Sequence, residues 1–146
     1  MKKGGILNKD LMAELTGLGH LDMFVICDAG FPVPQNAKKI DLAIVENLPS
    51  FMQTLKAILN EVIIEELILA EETKEVSNEL FNKIEDIFEN QEKKLLPFND
   101  FFEHALKAKF FIRTGDFTPY ANIVLKSASG VKKYNKKYDL SFNQII

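Results

Sequence analysis

The segment Met23–Cys27 constrains the fold most strongly, because it has five consecutive residues without a charge or a turn former. Such a run is typical of a strand buried on both faces, as in a parallel or mixed sheet. His20 precedes the run, and Asp28 follows it at the start of a loop rich in glycine and proline. Ligands of open α/β sheets gather beyond the carboxyl ends of strands. Asp28 is therefore a candidate site residue, although aspartate after a strand is also a common turn former.

Helix-like and strand-like segments alternate along the rest of the chain. Apolar spacing predicts a helix capped by Asn8, a helix that begins with a capping box of Ser50 and Gln53, and a helix over residues 80–88. Asn99 is predicted to cap a further, brief helix. Further strands are predicted at residues 40–44, 67–70, 94–96, 110–113 and 122–126. This alternation predicts a single α/β domain in which helices layer around a largely parallel or mixed sheet.

Composition narrows the domain organisation and the partners. We expect one domain over residues 1–126 and a basic, polar, peripheral tail over residues 127–146. The formal net charge of −3 disfavours nucleic acid as a partner. No stretch approaches the roughly 18 apolar residues of a membrane span, so no membrane partner is expected. The start lacks the apolar core of a signal peptide, and the single cysteine, Cys27, is predicted to be buried, so we expect a cytoplasmic protein.

Common cofactor motifs are missing from the sequence. It contains no phosphate loop, no dinucleotide fingerprint, no Cys-x-x-Cys pair, no His-Glu-x-x-His and no Gly-x-Ser-x-Gly elbow. The two histidines, His20 and His104, lie too far apart in sequence to suggest a metal-ligand spacing. We therefore expect no cofactor and no metal. Acid/base chemistry remains, with His20 moving protons and Asp28 orienting it or binding a hydroxyl group, which favours a cofactor-free isomerisation.

Several short motifs are distributed along residues 1–126: Leu18-Gly19-His20, Asp28-Ala29-Gly30, Leu69-Ala70-Glu71-Glu72, Ile112-Arg113-Thr114-Gly115-Asp116 and Thr118-Pro119-Tyr120-Ala121-Asn122. In this order and spacing, the sequence resembles the D-ribose pyranase family and its relative L-fucose mutarotase. The resemblance implies an isomerase that interconverts the pyranose and furanose forms of D-ribose. It implies that His20 is the proton donor and that Asp28, Tyr120, Ala121 and Asn122 bind the sugar. It also implies ring-shaped homo-oligomers with sites between neighbouring subunits.

Two positions depart from the ribose pyranase pattern. Phe98 and Phe102 stand where that family usually has a histidine and a lysine. Residues 101–105 are closer to the fucose relatives, and His104 is a candidate replacement for the lost polar contact. Phe102 has two interpretations, stacking on a sugar ring or packing in the core. Two alternatives therefore stay open: a mutarotase for L-fucose or another monosaccharide, and a non-catalytic sugar-binding accessory protein of an uptake system.

Overall fold

Six strands form one mixed sheet within residues 1–135, the part of the chain that the computed structural model describes. The strands are β1 (Met23–Cys27), β2 (Lys39–Asp41), β3 (Ile64–Ala70), β4 (Glu92–Leu96), β5 (Phe111–Arg113) and β6 (Ile123–Ser127). The helices are α1 (Lys9–Thr16), α2 (Phe51–Leu59), α3 (Glu71–Val76), α4 (Asn78–Ile87) and α5 (Phe98–Ala105). The predicted α/β fold with a single domain is confirmed.

The direction of the strands gives the sheet two distinct edges. The strand order is β2-β5-β1-β6-β3-β4, and only β6 runs antiparallel to its neighbours within this sheet. The five other strands therefore end at the same edge, where β6 begins. We call it the carboxyl edge, and it carries Asp28 after β1 and Asn122 before β6. We call the opposite edge the amino edge, which carries the start of β1 and the end of β6.

The central strand β1 separates two apolar cores. Phe24 and Ile26 pack into the core under α1, α2 and α4, whereas Val25 and Cys27 pack into a second core under α5. All four side chains are fully buried. The prediction of a strand buried on both faces is confirmed, because helices cover both faces of the sheet.

Local capping signals account for two helix starts. The N–H of Leu11 donates to Oδ1 of Asn8 at 2.9 Å, which confirms the predicted cap of α1. At α2, Ser50 and Gln53 form the predicted capping box reciprocally, with bonds of 3.1 and 2.8 Å. The helix that was predicted over residues 80–88 is confirmed as α4.

Several predicted elements differ from the structure, most clearly a strand end, a helix start and a helix that was not predicted. The strand predicted over residues 40–44 stops at Asp41, because the N–H of Ile44 turns back to the carbonyl of Leu48 at 2.9 Å. The prediction that Asn99 caps a helix is wrong: α5 begins at Phe98, since its apolar face packs on the second core from the first turn. Helix α3 was not predicted, because it has little apolar periodicity and buries only Thr73.

The last strand of the sheet runs past the predicted domain boundary at residue 126. Strand β6 extends to Ser127, one residue into the predicted tail, and the N–H of Ser127 donates to the carbonyl of Asp22 at 2.8 Å. Of the predicted tail, residues 136–146 lie outside the described residues.

Candidate active site

Asp28 lies at the carboxyl edge in a loop that is fixed by hydrogen bonds. Its N–H donates to Oδ1 of Asn122 at 2.9 Å, and its own Oδ1 accepts from the N–H of Gly30 at 2.9 Å. The antiparallel register that pairs Ile26 with Ile123 brings these two residues together. Asn122 is only 2% exposed, so its amide is aimed by its surroundings. The loop thus presents a carboxylate with a set orientation.

Burial controls the electrostatics of Asp28. It raises the pKa of the carboxyl above its ordinary value, and the nearby charge of Asp116 raises it further. Hydrogen bonds from Asn122 and from the N–H of Gly30 oppose this rise without cancelling it. A partly desolvated carboxylate of this kind gains when a ligand hydroxyl group donates to it.

Tyr120 reaches the same edge on a loop that α3 holds in place. Its carbonyl accepts from Oγ1 of Thr73 at 2.9 Å, and Oγ of Ser77 donates to the carbonyl of Pro119 at 2.6 Å. The backbone of Tyr120 is left-handed, with φ of 57°. Ala121, the next residue, is buried in the first core, so its side chain faces the core. Helix α3, which sequence patterns do not predict, therefore positions a predicted site residue.

Three phenylalanines form one side of this region, and we call them the aromatic wall. Phe98 lies edge-on to Tyr120, with ring centroids 5.6 Å apart, and Phe102 packs on Phe98 at 6.2 Å. Phe31 completes the group at 5.7 Å from Phe102. Phe98 and Phe102 are half-buried, so they are neither pure core nor free surface. The carboxyl edge thus combines hydrogen-bonding groups with aromatic faces, as carbohydrate ligands require.

His20 lies at the other end of β1. Asp28 follows Met23 by five residue steps of extended strand, a span of roughly 17 Å. One chain therefore does not bring His20 and Asp28 together. At the amino edge, Nε2 of His20 instead lies 3.0 Å from Oε2 of Glu65, and because an ionised carboxylate can only accept, the ring nitrogen is assigned as the donor. The predicted acid/base group and the predicted sugar ligands therefore lie at opposite edges of the sheet, and we call these two regions the half-sites.

His104 lies in the last turn of α5, half-buried. It follows Phe98 by six residues, roughly 9 Å along the helix axis. Within residues 1–135, no hydrogen bond or ion pair joins it to Asp28, Tyr120 or Asn122. Its predicted contact with a ligand stays a prediction.

Glu72 is a candidate binding residue that motif chemistry did not single out. It follows β3 at the carboxyl edge, in the first turn of α3 and next to Thr73. Its Oε2 is buried and has no hydrogen-bond partner in the described part of the chain. A buried acceptor without a donor is costly, so a ligand hydroxyl group would satisfy it. The sequence signal that could have identified Glu72 as a candidate is its position directly after a buried strand.

In residues 1–135, no three or more histidine, cysteine, aspartate or glutamate side chains are grouped to hold a metal ion. None of the helices in that range combines the length and the apolar character needed to cross a membrane.

The fold defines a small α/β protein with a histidine–glutamate pair at one sheet edge and a group of polar and aromatic side chains at the other. The chain belongs to the RbsD / FucU transport protein family, whose sequence model matches residues 1–131. It is 41% identical over 127 residues to a D-ribose pyranase of Clostridium perfringens (strain SM101 / Type A), covering 87% of this chain and 97% of the relative. A D-ribose pyranase of Geobacillus thermodenitrificans is 43% identical over 127 residues, covering 87% and 96%.

Solved structures agree with this membership. RbsD of Bacillus subtilis complexed with D-ribose superimposes with a TM-score of 0.86 at 42% identity, over 90% of this chain and all of that chain (100%). The fucose mutarotase of Streptococcus pneumoniae, in complex with L-fucose, has a TM-score of 0.68 at 24% identity, over 86% and 95% of the two chains. The second likeness shows the shared fold.

Proposed function

We propose that this chain is a D-ribose pyranase, a cofactor-free isomerase that opens and recloses the ring of free D-ribose. Family membership and the D-ribose pyranases at 41% and 43% identity support the activity. The observation that carries the proposal is the carboxyl edge, where the Asp28 carboxylate and Asn122 amide lie beside Tyr120 and the aromatic wall. Hydrogen-bonding groups bind sugar hydroxyls there, and the rings cover the C–H face of the sugar.

The chemistry needs only proton transfers. Ring opening removes a proton from the anomeric hydroxyl group, breaks the bond between the anomeric carbon and the ring oxygen, and delivers a proton to that oxygen. Reclosure through another hydroxyl group gives the other ring size, and protons balance over the cycle. His20 serves as the proton donor and acceptor, and Asp28, Tyr120 and Asn122 hold hydroxyl groups. Free sugars already interconvert slowly in water, so positioned acid/base groups supply a sufficient reduction of the barrier.

The active site is proposed to lie between two copies, with His20 from one and Asp28 from the next. The roughly 17 Å that separates the two ends of β1 supports this arrangement. Contact between the amino edge of one copy and the carboxyl edge of another is head-to-tail, the type of contact that closes into rings. Exposed apolar side chains at both edges suit such contacts: Leu21, 55% exposed, beside His20, and Phe117, 61% exposed, in the loop before Tyr120.

The test is saturation-transfer NMR between the ring forms of D-ribose. We expect faster exchange between pyranose and furanose with the wild-type protein and the spontaneous rate with His20→Ala. Binding of ribose without faster exchange would contradict the enzyme and favour a sugar-binding accessory protein.

A cytoplasmic location is part of the proposal, and the single buried cysteine supports it. The catalytic domain is proposed to span residues 1–126, with residues 127–146 as an appendage.

A second candidate function is mutarotation of L-fucose or a related deoxy sugar. The aromatic wall favours it, because Phe98 and Phe102 offer an apolar surface to the methyl group of such a sugar. The same NMR experiment with the anomers of L-fucose compares the two sugars directly. Phe98→His and Phe102→Lys, made together, are expected to shift the preference toward ribose, whereas an unchanged preference would argue against the wall as a specificity element.

A further inference from the structure

Glu65 occupies an irregular position in β3. Ile64 pairs with Ser127 and Glu66 pairs with Lys126 across β6, so that Glu65 is an extra residue without a partner on that strand. The faces on which the β3 side chains pack show the same irregularity. Ile64 packs in the first core with Leu67, whereas regular alternation would place the two on opposite faces. Bulges of this kind turn a side chain in a new direction and occur often next to active sites.

The redirected carboxylate meets His20. Oε2 of Glu65 lies 3.0 Å from Nε2 of His20, and the Glu65 side chain is 17% exposed whereas that of His20 is 50% exposed. The better-buried carboxylate therefore anchors the more exposed imidazole. The other ion pairs nearby involve different carboxylates: Lys109 pairs with Asp22, and both Lys126 and Lys94 pair with Glu66.

The backbone of His20 is fixed independently. The N–H of Asp22 donates to the carbonyl of Gly19 at 3.2 Å, which closes a turn with His20 and Leu21 at its centre. Leu21 has φ of 71°, a left-handed conformation that is rare for leucine, and its N–H donates to the carbonyl of Ser127 at 2.9 Å. A strained turn that neighbouring strands hold in place is a feature of functional sites.

We propose that Glu65 is a positioning residue that fixes the tautomer and orientation of His20, so that Nδ1 is the nitrogen offered to the sugar. This inference rests on the proposed function. With Nε2–H donating to Glu65, the lone pair of neutral His20 is on Nδ1. When Nδ1 takes the anomeric proton, positive charge develops on the ring, and the carboxylate next to Nε2 stabilises it.

The test uses Glu65→Gln, which keeps the size and an acceptor oxygen but removes the charge, and Glu65→Ala, which removes the contact. Glu79→Ala is the matched control, because Glu79 is an exposed carboxylate paired with Lys83 by a helical (i,i+4) ion pair. Thermal melts by circular dichroism establish that each variant is folded. Long-range proton–nitrogen NMR at about pH 9, where imidazoles are neutral, reports the tautomer of each histidine. His104 serves as the internal reference in the same spectrum.

We expect a single Nε2–H tautomer for wild-type His20 and a mixture resembling that of His104 in Glu65→Ala. We expect Glu65→Gln and Glu65→Ala to slow ribose exchange at saturating sugar by roughly tenfold or more, with an unchanged Kd for ribose. If Glu65→Ala exchanges ribose at the wild-type rate, or if its His20 tautomer is unchanged, the proposed role of Glu65 is overturned while the pyranase activity stands. If the wild-type protein does not accelerate ribose exchange, the proposed function fails, and the tautomer comparison still decides whether Glu65 positions His20.

Discussion

Mixing two inactive variants tests whether the active site is shared between copies. His20→Ala removes the acid/base group at the amino edge, and Asp28→Ala removes the carboxylate at the carboxyl edge. Each variant alone is expected to be inactive. When the two are co-expressed with different purification tags and assemble at random, we expect activity to return, because some junctions join an intact His20 to an intact Asp28.

The size of the recovery follows from the arrangement of the half-sites. A functional junction takes its intact His20 from an Asp28→Ala chain and its intact Asp28 from a His20→Ala chain. In an equal mixture, each of these two choices occurs with a probability of one half. The expected activity per chain is therefore about one quarter of the wild-type value. Saturation transfer between pyranose and furanose ribose measures it on the doubly purified mixed assemblies. The distance of roughly 17 Å along β1 is the reason to expect no activity within one chain.

A dilution series with the double variant His20→Ala/Asp28→Ala provides the control. Co-assembled in equal amounts with the wild-type chain, it leaves about one quarter of the activity per chain if the site is shared and about one half if each chain carries its own site. A silent mixture of the two single variants, together with one half in the dilution control, would refute the shared site.

Three further predictions concern the stability of the single chain. Gly115→Ala places a Cβ 2.5 Å from the carbonyl oxygen of Val45, so we expect the free energy of unfolding in urea to fall by about 1–3 kcal/mol. Gly130→Ala is the control, because a Cβ at Gly130 meets nothing within 4 Å and should leave that free energy unchanged. Burial raises the pKa of Asp28, so its carboxylate costs stability above that pKa, and Asp28→Asn should stabilise the fold in urea unfolding at neutral pH. A gain that persists when the pH falls through that pKa would contradict the cause. Burial also raises the pKa of the Cys27 thiol to about 12. A thiol reagent should therefore label Cys27 only as fast as the protein opens, and immediate labelling of the folded protein would contradict this prediction.

Much of the fold could be predicted because its signals are local. Asn8, Ser50 and Gln53 cap their helices through atoms three residues away. An uncharged run such as Met23–Cys27 is typical of a strand covered on both faces. Helix α3 could not be predicted in this way, because its role is to hold the loop around Tyr120 through hydroxyl groups rather than to bury an apolar stripe.

The candidate site depends on contacts between distant residues. Asp28 and Asn122 are 94 residues apart, and strand pairing between β1 and β6 brings them together. His20 and Glu65 are 45 residues apart, and their contact depends on a bulge that leaves no sequence pattern of its own. The family resemblance could name His20, Asp28 and Asn122, but no spacing in the sequence could reveal which of them meet within one chain.

Backbone strain links the two half-sites. Leu21 beside His20 and Tyr120 at the carboxyl edge have φ values of 71° and 57°, and neither residue type favours this region. Each costs about 1–2 kcal/mol, and each is held by a hydrogen bond, from Leu21 to Ser127 and from Thr73 to Tyr120. These hydrogen bonds hold both loops within a single chain. In the assembly proposed above, two preformed surfaces would meet, so the free energy of association would not be spent on ordering loops.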